Sequence, residues 1–368
     1  MIEIKKDSFL NVSKEYEIKG AYIEIINTCN LRCIHCYNES GNKKDILDIN
    51  AFENIISSIP KDDPESSVTL SGGEPLLHPQ IWDFIDVLRE SKISTRLMIT
   101  NATLIDKDKA RKLVNSQMGV QISLNGTNAE IHDVLCGNGN FERTMRGLRF
   151  LLDEGYQENI PVRFTLTAHN KDNVIPFLTF MKSLGITHVD IAALSPVGRT
   201  SSHTDLLVLK QNEKEELFNF LTTSEEIKKL NDEGMHIGLP KGTFSGGCPI
   251  LFGDEGKLRG LVPRIDPLGN VYLCQLFSDD LYSVGNVNCN TLQEIVESSD
   301  FSKLIWFLRF GIEYIHNCKK CVWQSICGKG CIAMVLQHGS VQETDGDCYF
   351  RKKGILEDFD KTKNTSLL

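Results

Sequence analysis

The sequence lacks a basic surplus, a long apolar run and an export signal. Forty Lys and Arg stand against 49 Asp and Glu, a net charge of −9 over 368 residues. That balance speaks against a protein that grips the phosphate backbone of nucleic acid, which needs a basic face. No stretch approaches the roughly eighteen apolar residues of a membrane helix. Met1 to Lys6 carries no apolar signal-peptide region, so a cytoplasmic location is expected. There is no internal repeat. Apolar residues at 41% and charged residues at 24% are ordinary for a globular chain. A chain of this length buries a core without staples and fits two or three domains at roughly 150 residues each.

Cysteine is present in excess, with twelve residues and no secretion signal. In a reducing compartment that count points to metal binding or redox chemistry before structural disulfides. The middle of the chain is nearly empty of it: only Cys136 lies between Cys36 and Cys248. The distribution suggests two metal regions joined by a metal-free body.

The first group is Cys29-Asn30-Leu31-Arg32-Cys33-Ile34-His35-Cys36, a C-x3-C-x2-C run. Three thiolates on one loop suit three irons of a 4Fe–4S cluster and leave the fourth iron open to a ligand. A zinc site that recruits His35 is the alternative reading of these residues. The second feature is Ser71-Gly72-Gly73-Glu74-Pro75, after the apolar run Val68-Thr69-Leu70. Two glycines at a strand end let a ligand approach the backbone, and Glu74 offers a carboxylate suited to an ammonium group. On its own the motif also reads as an ordinary turn.

Together these two motifs resemble the radical SAM superfamily. The resemblance implies a cluster on Cys29, Cys33 and Cys36 whose open iron binds the amino and carboxylate groups of S-adenosylmethionine. Reduction then cleaves that cofactor to methionine and a 5′-deoxyadenosyl radical. Gly72, Gly73, Glu74 and Pro75 are expected to contact the cofactor, together with Asn101, Ser123, Asn125 and Arg143. Two departures stand out. Related sequences often read Ser-x-Asp-Gly on the fourth strand, where this chain has Ser123-Leu124-Asn125-Gly126. They also tend to show His-Asp followed by Arg-Gly, where His132-Asp133-Val134-Leu135-Cys136-Gly137 puts Cys136 at the Arg position. An amide retains hydrogen bonding but cannot act as a base.

The body reads as alternating strand and helix. Strands are expected at 21–28, 67–71, 95–100, 120–125, 162–168 and 188–194. Helices are expected from Asn50 as N-cap with Glu53 completing a capping box, over 79–92 with Ile81, Phe84, Ile85 and Leu88 inward, and at 107–116, 141–154, 173–184 and 210–230. Six units fit an α/β fold, the partial (β/α)6 barrel of radical SAM enzymes, with chemistry at the C-terminal strand ends. Thr100, Thr165 and Thr167 are further polar residues at such ends, equally readable as turn caps.

The C-terminal cysteines, Cys318-x2-Cys321-x5-Cys327-x3-Cys331 and then Cys348, follow Gly269-x4-Cys274 and Cys248. A four-cysteine run alone also suits a zinc ribbon. The whole order resembles the cysteine-rich SPASM extension, which implies two auxiliary 4Fe–4S clusters and three clusters in total. The inner one would use Cys248, Cys274 and Cys331, and the outer one Cys318, Cys321, Cys327 and Cys348. Twenty residues between Cys248 and Gly269 read as an inserted loop. No eighth cysteine stands at 241–247, so the inner cluster is one ligand short. Cys136 and Cys289 remain unassigned. Asp266-Pro267-Leu268-Gly269-Asn270 marks a hairpin turn, and 292–310 a helix with Ile295, Leu304, Phe307 and Leu308 on its core face. The expected domains are an extension at 1–20, the barrel at 21–235, the SPASM domain at 236–350 and a tail at 351–368.

Enzymes of this layout mostly modify peptides, so the expected substrate is a ribosomally made precursor peptide, crosslinked or oxidised after hydrogen abstraction. Anaerobic sulfatase maturases tend to place an Asp after the cysteine of the Gly-x4-Cys motif. Gln275 stands there and cannot serve as a base, which makes that activity the second choice. Radical chemistry on a small molecule such as a tetrapyrrole is a further alternative. The implied partners are an electron donor such as flavodoxin or ferredoxin and, since the barrel starts near residue 21, either a separate peptide-recognition protein or direct binding of the peptide's leader.

Overall fold

The computed structural model describes residues 12–156, 160–240, 248, 250, 258–277, 279–310, 318, 320–322, 330–337 and 348. The chain divides into two compact units. One comprises residues 20–239 and 265–269, and the other comprises 1–19, 240–264 and 270–368.

After β1 (Tyr16–Ile18), the first unit is built on a parallel sheet. Its strands are β2 (Gly20–Ile26), β3 (Ser67–Gly72), β4 (Thr95–Thr100), β5 (Gly119–Ser123), β6 (Val162–Leu166), β7 (His188–Ala193) and β8 (His236–Gly238). They lie side by side in chain order, and every neighbouring pair is parallel. Six strands were expected. The seventh, β8, has three residues, too few for an alternating pattern to show. Among the described residues the sheet does not close on itself.

Side chains alternate across a strand, so one face of each strand is apolar. Ile23 and Ile25, Val68 and Leu70, Val120 and Ile122, and Phe164 point to that face with essentially no exposure. Tyr22, Glu24, Ser71, Ser123 and Arg163 occupy the other. Arg163 sits beside Asp190 on β7, with Nη1 to Oδ2 at 2.8 Å. Its charge also acts on the Tyr22 phenol.

The helices of this unit are α1 (Ile49–Ser57), α2 (Ile81–Glu90), α3 (Lys107–Asn115), α4 (Ala129–Cys136), α5 (Asn140–Asp153), α6 (Val174–Ser183), α7 (Thr204–Leu207), α8 (Gln211–Thr223) and α9 (Glu225–Asp232). In α2 the expected stripe of Ile81, Phe84, Ile85 and Leu88 is buried, each side chain worth about 1.5–3 kcal/mol. Phe84 packs on Phe52 of α1 with ring centroids 4.4 Å apart. The start of α1 differs from the expectation. Asp48, not Asn50, is the N-cap and accepts from Asn50 N at 2.8 Å, because its carboxylate already stands in extended backbone one residue before the helix. The single helix expected over 210–230 is broken at Ser224, which leaves the helical conformation and caps α9 through Ile227 N. The short helix α4 was not expected. Its N-cap Asn128 accepts from Ile131 N at 3.0 Å.

In the second unit β1 pairs in parallel with β9 (Arg259–Leu261). Residues 12–19 thus belong to this unit. Glu15 binds Arg259 and Arg309, and Arg309 also donates to the Tyr16 hydroxyl at 2.9 Å. Next in the chain come β10 (Arg264–Ile265), then the expected turn, whose residues 265–269 belong to the first unit and where Gly269 adopts φ +87° and donates to Asp266 O at 2.9 Å, then β11 (Asn270–Tyr272) of the second unit. β11 pairs antiparallel with β12 (Gly285–Asn286). The helix expected over 292–310 is two helices, α10 (Leu292–Val296) and α11 (Ser299–Phe310). The break resets the helical phase. The core face of α11 is Phe301, Ile305 and Leu308, Leu304 is half-buried and Phe307 is 43% exposed. The last described helix is α12 (Ile332–Gln337). The tail expected after residue 350 lies outside the described residues.

Candidate functional site

Parallel strands put their C-terminal ends on one edge of the sheet, where backbone loops are free to build a site. The loop after β2 carries Cys29, Cys33 and Cys36. The loop after β3 carries Gly72 to Pro75. Asn101 follows β4, Asn125 follows β5, Asn170 follows β6 and Arg199 follows β7. Every chemically suggestive motif of this unit is therefore at one edge.

The two glycines solve a packing problem between neighbouring strand ends. Gly72 has φ +119°, and a Cβ on it would stand 2.3 Å from Ile26 O. A Cβ on Gly73 would stand 2.1 Å from Thr28 O. Only glycine lets Gly73 N reach Ile26 O at 2.6 Å and Glu74 N reach Thr28 O at 3.0 Å. These bonds hold the start of the cysteine loop against the Gly-Gly turn.

Glu74 is fully buried, and its carboxylate is committed internally. Oε1 accepts from the Thr100 hydroxyl at 2.7 Å and Leu76 N at 3.2 Å, and Oε2 accepts from Asn101 N at 3.0 Å. Burial pushes its pKa up to about 7, against the pull of those three donors. The side chain thus ties β3 to β4. Glu74 braces the turn from within. Pro75 continues into a short 3-10 turn, Pro75–Leu77.

Asn101 has a similar bracing role. Its Nδ2 donates to Asn30 Oδ1 at 3.0 Å, its Oδ1 accepts from Thr103 N and the Thr103 hydroxyl, and its carbonyl accepts from the Thr144 hydroxyl at 2.9 Å. Asn30 Nδ2 in turn donates to Thr103 Oγ1 at 2.8 Å. Asn125, 1% exposed, is the hub on the other side. Its Oδ1 accepts from Thr165 N at 2.8 Å, its Nδ2 lies 3.4 Å from His35 Nε2 and 3.7 Å from Cys136 Sγ, and its carbonyl accepts from Asn170. Thr167 is buried and bound to Asn170 Oδ1. Ser123 is half-buried on the polar face of the sheet, in register with Arg163. Arg143 is exposed on the first turn of α5, with Nε 3.3 Å from Gly139 O.

Two clamps on the cysteine loop were missed from sequence. Arg199 donates from N to Cys36 O, from Nε to Cys33 O at 2.8 Å and from Nη1 to Ser40 O at 3.0 Å. Beside it Gly198, at φ +61°, passes so close that a Cβ would stand 2.3 Å from Tyr37 O. The loop also binds itself through Arg32, whose guanidinium reaches Cys29 O, Leu31 O and Gly41 O at 2.6–2.8 Å. A lone Gly-Arg after a strand carries no local signal of such a partner. From α4, Leu135 O accepts from Ile34 N at 3.0 Å.

Held this way, the three thiols are half-buried and close enough to act on each other electrostatically. Burial first, then the charges of Glu74, Cys33 and Cys36, push Cys29 up to about 12. Cys33 is pushed well up by its hydrogen bond with Cys136 and by burial. Among the described residues no three His, Cys, Asp or Glu converge tightly enough for a single metal ion. Desolvated, mutually repelling thiols on a rigid loop are a donor set that a cationic iron–sulfur core would offset, so these residues fit such a group.

The second unit assembles a trio from distant positions. Cys274 is pushed up to about 12 by burial and by the charges of Cys331 and Cys248, so these three lie near one another. Cys318 and Cys321 share a turn, with Cys321 N to Cys318 O at 3.0 Å. Cys348 is half-buried and Cys289 is exposed. Cys327 lies outside the described residues.

Known proteins place this arrangement. Residues 23–184 match the radical SAM superfamily, and residues 263–322 match the SPASM iron–sulfur cluster-binding domain. A mycofactocin maturase of Mycolicibacterium smegmatis is 29% identical over 275 residues, covering 72% of this chain and 66% of that protein. The chain thus spans just under two thirds of that relative's length. An AdoMet-dependent heme synthase of Nitratidesulfovibrio vulgaris is 26% identical over 339 residues, covering 84% of this chain and 86% of that protein. The solved structure of anSMEcpe with bound AdoMet and Kp18Cys peptide has the same fold, with a TM-score of 0.69 at 20% identity over 94% of this chain and 98% of that one. The chain thus carries a radical SAM domain over residues 23–184, where the parallel sheet holds the cysteine loop at its edge, and a SPASM domain over residues 263–322.

Proposed function

We propose that this protein is a radical SAM maturase that abstracts hydrogen from a residue of a ribosomally made precursor peptide. The observation that carries the reading is the locking of the Cys29–Cys36 loop onto the Gly72-Gly73 turn. When bound, a 4Fe–4S cluster and S-adenosylmethionine would supply a 5′-deoxyadenosyl radical. Cys29, Cys33 and Cys36 would hold that cluster. Gly72 to Pro75 would offer backbone to the cofactor, Ser123 would offer a polar side chain from the sheet face it shares with Tyr22, Glu24, Ser71 and Arg163, and Asn101 and Asn125 would hold the strand ends in place. Cys248, Cys274 and Cys331 would hold the inner auxiliary cluster, and Cys318, Cys321, Cys327 and Cys348 the outer one.

Support for a maturation role comes from the maturase relative, and for a peptide substrate from the solved neighbour of the same fold that holds AdoMet and the Kp18Cys peptide. The test is anaerobic reconstitution with iron counting, then incubation with reductant, S-adenosylmethionine and any short peptide encoded beside the gene. About twelve irons per chain are expected, three clusters of four, with 5′-deoxyadenosine formed and the peptide's mass changed. About four irons would remove the auxiliary clusters from the reading, and no 5′-deoxyadenosine would remove the enzyme. A second reading is radical chemistry on a tetrapyrrole side chain, favoured by the heme synthase relative, whose alignment covers more of both chains. Cofactor cleavage stimulated by a porphyrin and not by peptide would select it.

A further inference from the structure

The described residues of the segment inserted after Cys248 are held by the start of the chain. β1 runs parallel to β9, with Tyr16, Glu17 and Ile18 opposite Arg259, Gly260 and Leu261. Lys19 N donates to Leu261 O at 2.9 Å. A two-stranded ribbon is marginal by itself, so side chains must fix it. The Tyr16 hydroxyl donates to Ile250 O at 2.7 Å, across 234 positions of sequence. Ile250 stands two residues past Cys248.

The direction of that bond is fixed by its neighbours. A guanidinium only donates, and Arg309 Nη2 donates to the Tyr16 oxygen at 2.9 Å, which leaves the phenol's own hydrogen for Ile250 O. Glu15 holds the guanidinium in turn, with Oε2 2.9 Å from Arg309 Nη2, and it also binds Arg259. The Tyr16 ring is buried. It meets Phe301 of α11 edge-on with centroids 5.3 Å apart, and the guanidinium carbons of Arg309 and Arg259 lie 5.6 and 5.8 Å from its centroid. Burial pushes the phenol's pKa up, so the hydroxyl keeps its proton through the neutral range.

We propose that β1 is a clasp on the inner auxiliary cluster and that Tyr16 is its positioning residue, keeping Cys248 within reach of the metal shared with Cys274 and Cys331. This rests on the reading of those three half-buried thiols as its ligands. All the groups involved belong to one unit. In that reading the inner set has three cysteines and the outer set four, so one loosened ligand leaves the inner cluster only two. Cys248 is also followed by twenty residues before Gly269. A segment that long gains entropy when freed, and the Tyr16 bond pins it two residues from the ligand. The clasp therefore acts on the inner cluster and not on the outer one.

The experiment follows iron release to a chelator from full-length, anaerobically reconstituted protein, with electron paramagnetic resonance after reduction. Cys274→Ala marks which irons and which signal belong to the inner cluster. Tyr16→Phe keeps the ring and its contacts and deletes only the hydroxyl. In that variant about four of about twelve irons are expected to leave about fivefold faster than in the wild type, the scale of one hydrogen bond. The inner cluster's signal alone is expected to change. Glu15→Gln, which loosens Arg309, is expected to move the same irons in the same direction, and it decides the matter if Tyr16→Phe does not fold. Release at the wild-type rate in Tyr16→Phe overturns the proposal. Faster release of all irons alike also overturns it, because the hydroxyl would then serve general stability. If wild-type protein loads only about four irons, the reading of Cys248, Cys274 and Cys331 as ligands fails first.

Discussion

The two thiol trios reach proximity by opposite routes. Cys29, Cys33 and Cys36 share one short loop, and distant groups are brought to it: Gly73 N and Glu74 N to Ile26 O and Thr28 O, Leu135 O of α4 to Ile34 N, and Arg199 to the carbonyls of Cys33, Cys36 and Ser40. Cys248, Cys274 and Cys331 start far apart along the chain and are gathered by folding of the second unit. Closing a longer loop costs more entropy, though only logarithmically. The first site is thus preset by spacing and made rigid by clamps. The second depends on its unit being folded, and its clusters are expected to couple more strongly to stability.

The largest test removes each trio in turn. Replacing Cys29, Cys33 and Cys36 by Ala is expected to lower iron by about four per chain and abolish 5′-deoxyadenosine, with little change in thermal unfolding. Cys274→Ala is expected to remove a similar amount of iron while lowering the melting temperature measurably. Equal melting behaviour in the two variants would erase the contrast. Next comes Gly73→Ala, which forces a Cβ to within 2.1 Å of Thr28 O. A loss of about 3–5 kcal/mol in urea unfolding is expected, at the upper end for one substitution.

His132 tests the wall that joins α4 to β5. Burial holds its pKa down at about 4, from an ordinary 6.5, and its Nδ1 accepts from Asn125 N at 3.1 Å. Between those values the unfolded imidazole binds a proton that the folded one refuses, so the share of stability owed to His132 rises with pH in this window. That share is complete above about pH 6.5 and declines as pH falls toward 4, by about 3 kcal/mol. Urea unfolding of wild type and His132→Gln at several pH values isolates it as the difference between the two slopes, because His35, also held down at about 4, adds to the wild-type slope and Glu74, pushed up to about 7, opposes it. Arg199→Ala is expected to cost about 1–3 kcal/mol through lost bonds to loop carbonyls, and to speed iron loss to a chelator from the first trio but not the second. The smallest effect is expected for Phe307→Ser, about 0.5 kcal/mol or less on the exposed side of α11, whereas Ile305→Ala should cost about 2–5 kcal/mol.

Most strands were legible because a half-buried strand alternates and a buried one is apolar. β4 falls on the expected residues, and the stripe of α2 is as expected. What was not legible had little pattern to offer. β8 is too short to alternate, and α4 is hidden among polar residues that read as a motif. The break between α10 and α11 also misassigned Phe307, because a periodicity counted from Ile295 does not survive a change of phase. At the site, the cysteine spacings and the Gly-Gly-Glu-Pro motif stood out as local strings. Arg199 did not, since its partner Cys33 lies 166 positions earlier.

By itself the sequence determined the alternation of strand and helix, the grouping of the cysteines and the position of the Gly-Gly turn. Each of these is encoded within a few residues, by side-chain period or by the spacing of like donors. The tertiary structure alone decided that Glu74 turns inward to Thr100 and Asn101, that the glycines admit a neighbouring strand end, and that Asn125 and Cys136 form one pair beside Cys33. The reason is physical. A buried polar atom must find a partner, and which partner is near depends on how the sheet brings loop ends together, not on any neighbour along the chain.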